Sequence, residues 1–456
     1  MELTAAQILA GLAPVLTVIM ALLCKNVILA LFFGIFYCAI LLNGVNFLVP
    51  MADYILQGIQ GNGFILVLFV MLGVSLRFMR IGGGFKAFEN WANKKVASAE
   101  KAGLLVFLIS LVIGVQDGLA NILVGRIVKP VVDRQKMTPY KSAYITSSLA
   151  ANIATPFPGG TYFLFCVAMA EAFFADQNPV VIFYKVCGLS VHTWLSIIIC
   201  LLVVLKALPD LGEMKKQQAL ADQGVNVRQG SGDADLSALM GSDEEEGDWW
   251  PFLLATLGMV VFMVITSLIA GEIVVVPSAF LSAFATAIYV GIKKKMSFRQ
   301  WGGEFCAGCL EQAGLILMLA LCFTFGYMLQ LVNFADIVVA LFAGTMPPVL
   351  VPIILFFVSV VVSYATGSLG AALVVMLPVG IPLAFATGAN AILTFAAVYS
   401  GSQWGDQTSP ISDVQLENSG ANDVDPIVLS KCMMPYRLID LGVSAVVFFI
   451  LSLIMC

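Results

Sequence analysis

The sequence predicts an all-α polytopic membrane protein built of two inverted-topology repeats, each with a re-entrant hairpin and a broken transmembrane helix. Three observations carry that expectation. Apolar runs near the ~20 residues needed to cross a bilayer recur along the chain. The chain is 60% hydrophobic and 11% charged, with a mean hydropathy of +0.97, whereas a soluble domain carries about 25% charged residues. Polar breaks containing Gly or Pro interrupt several of the runs, and non-helical backbone at membrane depth is tolerated only where protein buries it or water lines it.

In order, the first half (1–206) offers spans at 8–24, 27–48 and 64–80. The run at 8–24 has no basic segment before it and another span after it, so it reads as a retained helix rather than a signal peptide. A polar arm at 81–101 leads to two shorter apolar pieces, 103–115 and 119–132, which meet at Gln116-Asp117-Gly118. The next run, 143–174, is broken at Thr155-Pro156-Phe157-Pro158-Gly159-Gly160, and 180–205 closes the half. A polar linker (207–249), expected to be cytoplasmic, holds the acidic run 243–246, which reads as a solvated loop. The second half (250–456) offers 251–270, 273–292 and 314–332. Pieces 349–364 and 369–386 meet at Thr366-Gly367-Ser368, and 391–404 runs into the polar stretch 400–413 before a last span at 438–455.

Charge sets the orientation. Lys and Arg concentrate at 77–101, 126–141, 206–216, 293–299 and 431–437, and are absent from 43–62, 175–179, 270–272 and 386–390. Placing the basic loops in the cytoplasm closes only if 103–132 enters and leaves on the inner side and 349–386 on the outer side. Both are therefore expected to be re-entrant hairpins with polar tips. The halves also align without gaps: residues 143–156 fall on 397–410, so that Ser148 meets Ser402, Asn152 meets Asp406, and Thr155-Pro156 meets Ser409-Pro410. Inverted repeats with broken elements near the midplane are a secondary-transporter architecture.

The stretch 400–413 holds Asp406 and Asp413, the hydroxyls of Ser400, Ser402, Thr408, Ser409 and Ser412, and the helix breakers Gly401, Gly405 and Pro410. Carboxylates inside a membrane cost about 2.5–3.5 kcal/mol each and usually face an ion or substrate path. Oxygen ligands at a broken helix suit Na⁺, so Ser402, Asp406, Thr408, Ser409 and backbone carbonyls form the expected Na⁺ site. Asp117, with Asn121 one turn on, Ser148, Asn152 and Thr155 complete the cavity, and the tip residues Thr366 and Ser368 converge on it. Proton and Na⁺ can compete for one acid, since desolvation favours the protonated form and a bound cation the ionised one. The blander alternatives are an extramembrane loop at 400–413, helix caps or pairing with Arg126 for Asp117 and Asp406, and a cap with Ser412 for Asp413. Glu171 is a weaker carrier candidate.

Other classes are disfavoured. No basic patch with interleaved aromatics points to nucleic acid. The one CxxC, Cys306 to Cys309, has no second pair, and the single His192 lies in an apolar run and reads as a packed, hydrogen-bonded core residue rather than a proton carrier. An enzyme would need a nucleophile–base pair or metal cluster that the spans lack. No cofactor is expected beyond Na⁺ and H⁺ as transported or coupling ions.

Residues 405–413, reading Gly-Asp-x-x-Ser-Pro-Ile-Ser-Asp, resemble the C-terminal signature of the NhaC-type sodium/proton antiporters. Residues 364–382 resemble the hairpin before that signature, and 116–130 with 140–156 the matching N-terminal block. The resemblance covers most of the chain outside the linker. It implies paired hairpins and Na⁺/H⁺ antiport across the cytoplasmic membrane, with the lipid bilayer, Na⁺ and a second copy in a homodimer as partners. Relatives often carry two adjacent acids where this chain has Gln116-Asp117, and His where it has Gln407-Thr408. The family also includes carriers of amino acids and hydroxy acids. The alternative is therefore Na⁺-coupled transport of a small amino acid or organic acid.

Overall fold

A computed structural model describes residues 9–24, 26–60, 63–84, 86–87, 102–114, 117–157, 160–174, 176–228, 247–271, 276–311, 313–334, 337 and 346–455. Gln116, Pro158, Gly159, Glu272 and the acidic run 243–246 lie outside the described residues, as do the side chains of Asp117, Arg126 and Asp413. Every extended regular element among the described residues is a helix.

The helices face apolar side chains outward. Along the last one, Pro426–Met455, Arg437, Asp440, Ser444, Phe448 and Ser452 are buried while Leu438, Val443, Val446, Phe449, Ile450 and Leu453 are exposed. Polar groups line the inner face at helical spacing and hydrocarbon lines the outer one, which suits lipid on the outside. Five described helices are long and apolar enough to cross a bilayer, and two bent pairs raise the number to as many as seven. The chain is a multi-pass membrane protein.

Most expected spans stand where their apolar runs place them, including Val27–Asn43, Gly63–Ile81, Val276–Lys293 and Ala313–Leu331. Two readings need correction. The run at 180–205 is not one helix but two, Pro179–Leu189 and Val191–Val204, bent by 46° at Ser190. Ser190 leaves helical geometry and its hydroxyl turns back onto the Val186 carbonyl, an alternative to the backbone ladder that serine offers. The last span starts at Pro426, not at 438, so Arg437 is inside it rather than in a basic loop. The first part of the linker, 208–228, is structured. It contains the helix Gly212–Asp222, docked by a Lys141–Asp210 ion pair of 2.7 Å and by Gln218, which accepts from the Thr138 amide. Arg228 then pairs with Asp133 at 2.7 Å. Tyr436 takes part in the docking: its hydroxyl accepts from Leu211 N and donates to Pro209 O, and its ring stacks on Tyr144 at 4.9 Å. Tyr436→Phe is expected to lower stability by about 1 kcal/mol through these hydrogen bonds, read as a melting temperature reduced by a few degrees.

Two short helices that the apolar runs did not reveal pack reciprocally. Met51–Ile59 lies on Ala313–Leu331, and Phe298–Glu311 lies on Gly63–Ile81. In each pair a glycine meets the other helix's backbone: a Cβ on Gly58 would come within 2.5 Å of the Thr324 Cα, and one on Gly308 within 2.8 Å of the Val74 Cα. Both partners are displaced by the same 250 positions, 58 to 308 and 74 to 324.

Both expected hairpins form as helix pairs. Ala102–Ile113 packs on Asp117–Arg134, and Leu350–Thr366 on Leu369–Thr387. The second turns at Gly367, whose φ of +66° is the left-handed region that favours glycine. A Cβ there would also meet the Ile411 carbonyl at 2.9 Å. This tip is therefore seated against the break that follows Asp406.

Candidate functional site

Two broken helices meet at the centre. The first is Pro139–Ala154, followed after its break by Thr161–Phe173; the second is Ala391–Thr408, followed by Asp413–Asn422. Proline stops both in the same way. Pro156 lacks the N–H that would close on the Asn152 carbonyl, and Pro410 the one for Asp406. All described side chains of Ala391–Thr408 other than Ile392 are buried, as are those of Pro139–Ala154 except Lys141 and Ile153.

The second helix presents two distinct polar faces. Ser402, Asp406 and Ser409 follow at four and three positions and so share one stripe. The Asp406 carboxylate is buried, accepting from Ser412 Oγ at 3.0 Å and from Tyr162 O–H at 3.4 Å. Tyr162 comes from the helix after the first break, so both halves reach the acid. The hydroxyls of Ser402 and Ser409 are fully buried and have no hydrogen-bond partner among the described residues. A buried hydroxyl left so costs about 1–3 kcal/mol, which marks the stripe as built for something beyond the protein's own atoms. Thr408 sits a third of a turn off it and donates to the Trp404 carbonyl.

The other face, Gln403 and Gln407, joins the halves. Gln407 Nε2 donates to Asn152 Oδ1 at 3.3 Å, and Asn152 Nδ2 donates to the Ser148 carbonyl at 2.7 Å. Gln403 Nε2 donates to Thr155 Oγ1 at 3.4 Å, and Thr155 also shares a 2.5 Å hydrogen bond with the Tyr399 hydroxyl. Gln415, from the short helix after the second break, donates to Ser147 Oγ and to the Gln407 carbonyl. Asn152 and Asp406, aligned as equivalent positions, thus lie one residue apart across this contact.

The remaining candidates take up various positions. Ser148 Oγ accepts from buried Arg437 at 3.3 Å, so its hydroxyl serves a guanidinium. Thr366 bonds back to the Val362 carbonyl, and Ser368 caps its helix by accepting from Ala371 N. Both still stand at the tip that touches the break. Asn121 is fully buried, and neither its Nδ2 nor its Oδ1 has a hydrogen-bond partner among the described residues. Asp117 begins its helix and Asp413 follows the cap residue Ser412.

Sequence reasoning passed over Tyr162, Gln403, Gln407 and Gln415. Gln403 and Gln407 were detectable, since amides four apart inside an apolar helix need partners. It also missed a buried charge cluster. His192 Nδ1 lies 2.6 Å from Asp440 Oδ2, and Arg437 Nη1 lies 3.9 Å from the same oxygen, with all three side chains at most 2% exposed. Arg437 Nη1 also donates to Ser196 Oγ at 2.6 Å. His192 is packed and hydrogen-bonded, as its apolar setting suggested, through Nε2 to Gln407 Oε1 at 3.3 Å.

Comparison with known proteins agrees with this architecture. Residues 164–453 match the model of the Na⁺/H⁺ antiporter family. An uncharacterized protein of Haemophilus influenzae is 22% identical, over 92% of this chain and 86% of its own length. Among solved structures, the Alcanivorax borkumensis YdaH transporter, described as having an unusual topology, superposes with a TM-score of 0.60 at 14% identity, covering 90% of this chain and 89% of its own. Neisseria gonorrhoeae MtrF, described within a class of antimetabolite efflux pumps, superposes with a TM-score of 0.55 at 13% identity over 91% and 86%. At such identities the likeness concerns the fold. The family match covers more than half of the chain: it is a secondary transporter and belongs to the Na⁺/H⁺ antiporter family.

Proposed function

We propose that the protein exchanges Na⁺ for H⁺ across the cytoplasmic membrane, with Na⁺ held by Asp406, Ser402, Ser409 and carbonyls of the second break. The observation that supports this most is the buried stripe of one carboxylate and two unpartnered hydroxyls. Such a site offers oxygen and a single described negative charge, which suits a hard monovalent cation at a broken helix. Thr408, turned off the stripe, would contribute through its backbone. Tyr162 and Ser412 would hold the carboxylate in place. The Gly367 tip and the Asn152 side of the first break would close the cavity. Division into halves at 1–206 and 250–456, inverted relative to each other, is supported by the reciprocal packing of Gly58 on Thr324 and Gly308 on Val74.

One observation favours the second reading, Na⁺-coupled carriage of a small amino or organic acid. Among the described residues the buried amide of Asn121 has neither donor nor acceptor satisfied, more than a bare cation needs. The efflux of antimetabolites named for MtrF fits that reading. The two are separated in vesicles of purified protein holding a pH-sensitive dye. An imposed Na⁺ gradient, against K⁺ as control, is expected to move protons without any added solute. Proton movement or labelled uptake that appears only when an amino or organic acid is supplied would favour the second reading and overturn the first.

A further inference from the structure

We propose that the buried amide face of Asp413–Asn422 is the cation's route between Asp406 and the basic surface at 126–141, and that Arg228 closes it. The identity of what passes rests on the cation reading above; the closure by Arg228 does not.

The helix after the second break has two unlike faces. Gln415, Asn418, Ser419 and Asn422 are at most 3% exposed, whereas Leu416 and Gly420 are exposed. Helical geometry gathers the four buried polar residues into one stripe about 100° wide. The stripe begins at the acid: Ser412 Oγ donates to Asp406 Oδ1 and accepts from Gln415 N at 3.4 Å. Gln415 Nε2 donates to Ser147 Oγ and to the Gln407 carbonyl. Its Oε1 stays buried without a hydrogen-bond partner among the described residues. Further along, Asn418 Nδ2 donates to the Ala143 carbonyl at 2.6 Å, and Asn422 Nδ2 to Asn418 Oδ1 at 3.1 Å. A face that only packed on its neighbours would be apolar, since burying polar groups costs free energy unless each is paired. A row of amide oxygens leading away from a carboxylate offers a cation successive weak sites, which is what movement along a path requires.

The row is shut along its length. Gln415 and Asn418 are bonded across to Pro139–Ala154. A Cβ on Gly125 would come within 2.5 Å of Asn422 Nδ2, so the hairpin helix Asp117–Arg134 lies directly on the far end. Arg228 stands at that end, with its side chain only 8% exposed. Its Nη1 donates to the Asn422 carbonyl at 2.5 Å and its Nη2 to Asp133 Oδ1 at 2.7 Å. The last carbonyls of a helix lack intrahelical donors and carry the negative end of its dipole, so they attract cations. Here the guanidinium occupies that position with a fixed positive charge. Next to it lies a cavity of about 450 Å³, lined by Lys129, Lys136, Asp133 and Asp423 among others. The cavity gives the Arg228 side chain room to swing out, and its departure leaves the Asn422 carbonyl and Asp133 to receive a cation. Asp133 belongs to the first half, Asn422 to the second and Arg228 to the linker, so one side chain ties all three together.

Ser419→Cys places a thiol in the stripe with little change of size. The full-length protein, purified in detergent, is treated with a small cationic methanethiosulfonate, and the peptide holding residue 419 is read by mass spectrometry. The peptide holding Cys322, buried against the second hairpin at the Val374 carbonyl, is the internal control. With Arg228 in place, labelling at 419 is expected to be slow. Adding Arg228→Gln is expected to speed it about tenfold or more, because two hydrogen bonds from a charged group are lost, and to leave Cys322 unchanged. Saturating Na⁺ in place of K⁺ is expected to slow labelling at 419 again, since ion and reagent compete for the same oxygens. Labelling at 419 that Arg228→Gln leaves unchanged overturns the closure. An equal rise at Cys322 also overturns it, because Arg228 would then hold the fold at large. No protection by Na⁺, in protein whose melting temperature Na⁺ raises, overturns the stripe as the cation's route. If Na⁺ fails to raise the melting temperature at all, the cation reading fails, and the labelling still decides the closure.

Discussion

Asp406→Asn is expected to abolish Na⁺-driven proton movement while leaving the protein folded and inserted. Asn keeps the size of the side chain and an oxygen to accept from Ser412 or Tyr162, so the break should hold its shape. What it removes is the described negative charge of the stripe. Separating a buried charge from its counter-ion costs about 3–5 kcal/mol, so Na⁺ should bind at least about a hundredfold more weakly. A neutral side chain also escapes the few kcal/mol that a carboxylate costs at this depth. Stability without Na⁺ is therefore expected to be equal to or above that of the wild type. A purely structural Asp406 would show the opposite pattern, with a large loss of stability in every salt.

Arg437→Leu is expected to be the most destabilising single change considered, by about 3–5 kcal/mol, because it strands Asp440 with only His192 to oppose its charge. It also deprives Ser148 and Ser196 of a donor. The double variant Arg437→Leu with Asp440→Leu removes both charges and should recover much of that loss, since apolar replacement of a whole buried pair is often neutral or stabilising. Thermal melts and detergent-solubilised yield of the three proteins check this. Equal damage in the single and double variants would mean that Arg437 matters through its side chain's packing and its hydrogen bonds to Ser196 and Ser148, rather than through charge balance with Asp440.

What could be read in the sequence follows from what long apolar runs encode. Spans, hairpins and the breaks at Pro156 and Pro410 were legible, since hydropathy and proline act locally. The ungapped alignment set Asn152 on Asp406, and the structure places Asn152 against Gln407, the residue after Asp406. Elements that depend on a tertiary partner were not. Met51–Ile59 and Phe298–Glu311 are short helices completed by packing on another span, and Gly212–Asp222 by docking on Tyr436, Lys141 and Thr138. The bend at Ser190 has no proline to announce it. Arg437 was misplaced because charge was read as a loop marker, a rule that holds until a buried acid supplies the counter-charge. Individual roles were the least legible. Ser148 serves Arg437 and Ser368 caps a helix, as any serine at those spacings could; only geometry distinguishes them from Ser402 and Ser409.

The most direct test of the cation site is a melting curve of wild type and Asp406→Asn across a range of Na⁺ concentrations, with K⁺ holding ionic strength constant. A ligand that binds the folded state raises stability by RT ln(1 + [Na⁺]/Kd), about 2.7 kcal/mol at a hundredfold excess over Kd. The wild type is expected to melt at progressively higher temperature in Na⁺ but not in K⁺, and Asp406→Asn to melt at one temperature in both. If the variant keeps the wild-type Na⁺ shift, Asp406 is not an essential ligand and the site assigned to the second break is wrong.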